Sequence, residues 1–323
     1  MNRNLFRTAA AFLAVLALAA PAFAKDDAMS LVPANAVTVG MVRLADMRTS
    51  PLSSLLFEHT DRMSADGEAA KFLLEAGLSP LKDVDVLVVA TAPRTALGSE
   101  ADILVLAEGR FNAERLTNAL VARGAIRKAG YLVLPEDNDG DDENGAVAFP
   151  TGSLAVAGTE RAVAAALQAR KAGGTGFAAR GILGADLRRI DANATAWALV
   201  DVTRASRLTK GGNVSTGSGN SGDALRAALK TVSTFAVWAK DTGDTLELGA
   251  FGMSGDDETL ELLEDTVRGG LSALRLAVKD KAPDMVTVLR RFDVSRSKDA
   301  VLVEGSIPAK TIRELVAKKR ASN

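Results

Sequence analysis

Short alternating runs of apolar and polar residues recur along this chain, and they recur in a fixed order. After Ala34-Asn35-Ala36 the pattern VTVGMVRL extends to Leu44, and after Ala192-Asn193-Ala194 the pattern TAWALVDV extends to Val202. A period of two sends alternate side chains to opposite faces, so both runs predict strands. Downstream, VDVLVVATAP from Val84 corresponds to VSTFAVWAKD from Val232. ILVLAEGRFNAERLTNAL from Ile103 corresponds to LELGAFGMSGDDETLELL from Leu246, each a strand passing through a polar turn into a helix. YLVLPED with GAVAFPTGSLAVAG and a helix corresponds to VTVLRRFDVSRSKDAVLVEG and a last helix. The order predicts one β-α-β-β-α-β-β-α unit written twice, at residues 25–180 and 181–323. Hairpin links favour antiparallel pairing, so the predicted class is α+β: two similar repeats of mostly antiparallel sheet with helices packed on one face.

A helical period marks the connecting segments. Ser50-Pro51 offers a cap and a first-turn proline ahead of Leu52, Leu55, Leu56, His59 and Met63, which share one stripe. Leu260, Leu263, Val267, Leu271, Leu274 and Val278 step by three or four across Gly269-Gly270, a pair expected to kink or end that helix. Pro308 is expected to open the last helix, with Ile312, Leu315 and Val316 on its apolar face and Lys318 to Arg320 at its negative end. Residues 210–224, KGGNVSTGSGNSGDA, read as a flexible Gly/Ser-rich insertion in the second unit.

The first residues follow neither period. MNRNLFR, an apolar run from Thr8 to Ala20 and small residues before Lys25 make a general secretory signal peptide, cleaved after Ala24. Its run of about 13 apolar residues is shorter than the ~20 that a membrane-spanning helix needs. The mature chain is therefore expected in the periplasm or outside the cell, without a transmembrane anchor or a lipid-bearing cysteine. Without Arg3 and Arg7 it has 37 basic and 40 acidic side chains, a balance with no pull on nucleic acid. The absence of cysteine removes disulfides and thiolate chemistry, and an aromatic content of 4% leaves the cores to Ala, Val and Leu.

Candidate chemistry is sparse. PEDNDGDDENGA at 135–146 crowds Glu136, Asp137, Asp139, Asp141, Asp142 and Glu143 together. An EF-hand loop begun at Asp137 has Asp139 and Asp141 in register, but Asp142 stands where glycine belongs and Ala148 where the closing glutamate belongs. A solvated hairpin loop explains the Asp, Asn and Gly content. A weak calcium site on Asp137, Asp139 and Asp141 is the alternative, and no other cofactor is indicated. Gly217-Ser218-Gly219-Asn220-Ser221-Gly222 spells G-x-G-x-x-G without the strand that a dinucleotide site requires just before it. Asp241-Thr242-Gly243 has no partner triplet and predicts a hairpin turn. Ser79 and Ser295 each precede a lysine by three positions, lack the other motifs of penicillin-recognising enzymes, and read as turn or loop residues. His59 is the sole histidine, so a multi-histidine zinc site is impossible, and its place on an apolar stripe predicts an edge-of-core role.

The opening of the mature chain, with Val32-Pro33-Ala34 before the first strand and Ser50-Pro51-Leu52 at a helix start, resembles uncharacterised secreted bacterial proteins classed as domains of unknown function. The resemblance covers residues 31–58 and implies an extracytoplasmic location, with no catalytic residue to carry over. The expected function is a non-enzymatic envelope protein, a scaffold or binding module for a protein, polymer or lipid; duplicated units often bind in the cleft between copies, and the exposed candidates for contact are the acidic loop at 136–143 and the flexible loop at 210–224. Two other classes stay open: a hydrolase with a dispersed serine and carboxylate site, and a weak calcium-dependent structural or adhesive module.

Overall fold

A computed structural model describes residues 28–50, 75–95, 100–135, 144–173, 176–177, 181, 183–208, 232–280 and 283–321. Twelve strands among them join one antiparallel sheet. The first half supplies β1 (Thr38–Arg43), β2 (Val84–Pro93), β3 (Ala101–Gly109), β4 (Ile126–Lys128), β5 (Tyr131–Val133), β6 (Gly145–Thr151) and β7 (Leu154–Thr159). The second supplies β8 (Ala196–Asp201), β9 (Thr234–Asp241), β10 (Thr245–Met253), β11 (Asp293–Arg296) and β12 (Ala300–Pro308). The helices are α1 (Leu44–Thr49), α2 (Pro80–Asp83), α3 (Ala113–Ala122), α4 (Glu160–Lys171), α5 (Gly184–Leu187), α6 (Val202–Leu208), α7 (Asp257–Val278), α8 (Pro283–Leu289) and α9 (Ala309–Ala321). None of them, among the described residues, is long and apolar enough to cross a membrane.

The strand order is β11-β12-β10-β9-β8-β1-β2-β3-β7-β6-β5-β4. Counted outward from the β1–β8 pair, it runs β1-β2-β3-β7-β6 on one side and β8-β9-β10-β12-β11 on the other. The halves meet edge to edge there, with Val39 opposite Leu199 and Met41 opposite Trp197. Among the described residues, only the first half adds a short hairpin, β4–β5, at its outer edge.

Residues directly opposite one another in a ladder share a face. One row can therefore be followed across seven strands, through Ala148, Val156, Leu106, Val88, Met41, Trp197 and Trp238. Every member of that row is buried. The row lies in the main core, which α4, the turn Ala28–Leu31 and the chain around α5 cover with Ala162, Val163, Ala166, Leu31, Phe177, Leu183 and Ile190. On the other face, α7 packs Leu260 and Leu263 against Val294 and Val301, and α3 packs Leu116 beside Phe111 and Val84.

The α+β class and the antiparallel sheet agree with the sequence pattern, but the placement of the helices differs: they cover both faces. The strands themselves explain this, because the face opposite the main core carries Val294 and Val301 under α7, and Val84 and Ala107 beside Leu116 of α3. Strands apolar on both sides need cover on both. Three local readings also change. Val286-Thr287-Val288-Leu289, aligned with the strand at Tyr131, is helical in α8, where Pro283 presets the first turn and Val288 and Leu289 are buried. Helix α7 runs on through Gly269-Gly270 for 22 residues, its start fixed by Asp256, whose carboxylate accepts from Thr259 N at 2.8 Å. Pro308 closes β12, and the helix after it begins at Ala309, whose N–H donates to Asp244 O at 2.8 Å.

Candidate functional site

The buried face is not filled everywhere. At the β1–β8 junction a cavity of about 770 Å³ lies between the sheet and the chain that covers it. Met41, Val86, Val88 and Trp197 form its floor, and Ala28, Met29, Leu187, Ile190 and Ala192 line the cover. Small-molecule sites of roughly 300–1,000 Å³ with apolar linings are common, so both volume and lining suit a ligand. The cavity reaches solvent where Arg188 and Ala192 are exposed.

The same alternation that builds the floor places a charge at its end. Arg43 follows Met41 by two positions, so it shares that face, and it stands opposite Val86 on β2. It is held there twice: its backbone N–H donates to Thr195 O at 2.8 Å, and its guanidinium Nη2 donates to Ala192 O at 3.0 Å. Glu108, at the far side on β3, accepts the Ala28 N–H at 2.6 Å and so ties down the start of the covering turn. Asp191 accepts from Asn193 N at 2.8 Å and from Lys240 Nζ at 2.9 Å. These donors, the Asn193 N–H first and then Lys240, hold the Asp191 carboxyl below its usual range, while Asp191 raises Lys240. Arg188 makes no ion pair among the described residues. The described lining carries no hydroxyl, thiol or imidazole. It can hold a molecule, and it offers guanidinium donors at the edge of an apolar surface.

The described lining contains none of the residues singled out by motif. Asp137, Asp139 and Asp141, His59 with its stripe, the insertion at 210–224, residues 1–24, and the side chains of Leu315, Val316 and Lys318 to Arg320 lie outside the described residues. Among the described residues, no group of three or more acidic or histidine side chains is placed to hold a metal. Asp241-Thr242-Gly243 is the β9–β10 hairpin turn, with Asp241 Oδ1 accepting Gly243 N at 2.8 Å and Gly243 at φ +85°. Ser50 donates its hydroxyl to the same carboxylate. Ser79 precedes α2 and its N–H donates to Asp83 Oδ2 at 2.7 Å. Ser295 lies within β11 opposite Leu302, where a loop was expected. Sequence reasoning missed the cavity residues. The available signal was weak: a charged residue ending an alternating run, and a tryptophan in the matching run.

No protein-family model matches the chain, and no curated protein matches it in sequence. Solved structures of TP0453 are similar to it. Crystal form III has a TM-score of 0.49 at 10% identity, covering 91% of this chain and 99% of that one. Crystal form I has a TM-score of 0.47 at 9% identity, with 90% and 98% covered. Crystal form IV has a TM-score of 0.45 at 11% identity, with 90% and 96% covered.

Proposed function

We propose that this chain is a non-enzymatic extracytoplasmic binding protein that holds an apolar small molecule in the cavity at the β1–β8 junction. The observation that carries this reading is the cavity itself: about 770 Å³ bounded mainly by Met, Val, Leu, Ile and Trp side chains. A space of this size with a mainly apolar lining and an opening to solvent is the form that small-molecule sites take. The signal-peptide pattern at residues 1–24 supports a place outside the cytoplasm. Native mass spectrometry of the protein purified from its host's envelope tests both parts. A mature chain beginning at Lys25 and carrying an organic adduct, lost in Val86→Phe, is the expected result. A bare chain retaining residues 1–24 would refute it.

A further inference from the structure

Resting on that reading, we propose that the cavity takes a single-chain amphiphile with a carboxylate head, its chain over Met41, Val88 and Trp197 and its head at Arg43 and Arg188. The donors and acceptors in the wall decide the sign of the head. Asp191 already accepts two hydrogen bonds, one of them from Lys240, and Glu108 accepts the Ala28 N–H. Both carboxylates are engaged in holding the wall, Asp191 against the Lys240 ammonium and Glu108 against the covering turn. The guanidinium groups are in the opposite condition. Arg43 places one Nη on Ala192 O, which leaves its other N–H groups, and Arg188 stands exposed on the cover without an ion pair among the described residues. Guanidinium forks bind carboxylates with shorter and stronger hydrogen bonds than neutral donors do. An apolar floor ending at two such groups is complementary to an anion with a long apolar tail. The volume, within the roughly 300–1,000 Å³ of ordinary small-molecule sites, suits one chain.

Tryptophan fluorescence of the mature chain, titrated with decanoate, dodecanoate, tetradecanoate, dodecanol and dodecyltrimethylammonium, separates the two layers of the claim. Affinity for the carboxylates is expected to rise about fourfold per added methylene. Dodecanoate should bind at least about tenfold more tightly than dodecanol, and Arg43→Gln or Arg188→Gln should remove about tenfold of that without changing dodecanol binding. Arg43→Lys, which keeps the charge, should restore part of the loss. Dodecanol or dodecyltrimethylammonium binding as tightly as dodecanoate, or Gln variants that bind dodecanoate like the parent, would overturn the head assignment while leaving an apolar cavity. No binding by any member of the series would overturn the cavity reading itself.

Discussion

Trp238 lies across the backbone of β10 at Gly249, where an added Cβ would come 2.0 Å from the indole ring. The indole tilts against Phe251, with ring centroids 6.1 Å apart, on the side where it would have to give way. Gly249→Ala should therefore overpack the row that forms the cavity floor and destabilise the fold by about 1–3 kcal/mol. Urea unfolding would show a lower midpoint at an unchanged slope, and an unchanged midpoint would mean that the indole can move. At this scale the turn at Asp241-Thr242-Gly243 was legible in the sequence, but this contact was not. A glycine in LELGAFG reads as a weak spot in a strand, and only the pairing with a tryptophan eleven residues earlier gives it a role. Arg43 is a similar case. At the end of a run an arginine reads as the solvated tip of a strand, and its contact with Ala192, distant in sequence, exists only in the fold.

At the scale of elements, the additional hairpin of the first half is tied to helix α4 by one carboxylate. Glu160 accepts from Lys128 Nζ at 2.5 Å and from the Tyr131 hydroxyl at 2.8 Å. Lys128 first, and then Tyr131, hold the Glu160 carboxyl below its ordinary value of 4.5. A carboxylate depressed in the folded state stabilises above its unfolded value, and that stabilisation is lost as pH falls through the folded value. The wild type should then exceed Glu160→Gln in melting temperature near neutral pH, with the gap closing as pH falls below about 4.5. A gap independent of pH would show that the charge does not hold the hairpin. Long elements with strict alternation were legible: the strand from Val84 ends at Pro93, as the pattern predicts. Short ones were less so. β4 has three residues, too few for a period to emerge, although its partner β5 falls on the run read at Tyr131, and α8 has the composition of a strand but is set as a helix by Pro283 and the burial of Val288 and Leu289.

For the whole molecule, the antiparallel α+β class was visible in the sequence, whereas the way the two sides of the sheet join was not. β1 and β8 pair across a separation that no local pattern encodes, and the cavity exists only because this pairing brings Met41 beside Trp197 under a shared cover. The main core also crosses the junction, with Val39, Met41, Leu199 and Trp197 in one cluster. Calorimetry should accordingly show a single cooperative transition, and two separated transitions would mean that each half is stable alone.

Tryptophan occurs twice in the chain, Trp197 in the cavity floor and Trp238 beside it on the next strand. Fluorine NMR of fluorotryptophan-labelled protein, titrated with dodecanoate, therefore reports on the cavity directly. The Trp197 resonance, assigned through Trp197→Phe, should shift saturably and by more than that of Trp238, and neither should move in Val86→Phe. A Trp197 resonance that stays fixed in the wild type, or that moves equally in Val86→Phe, would contradict a ligand site between the two halves of the sheet.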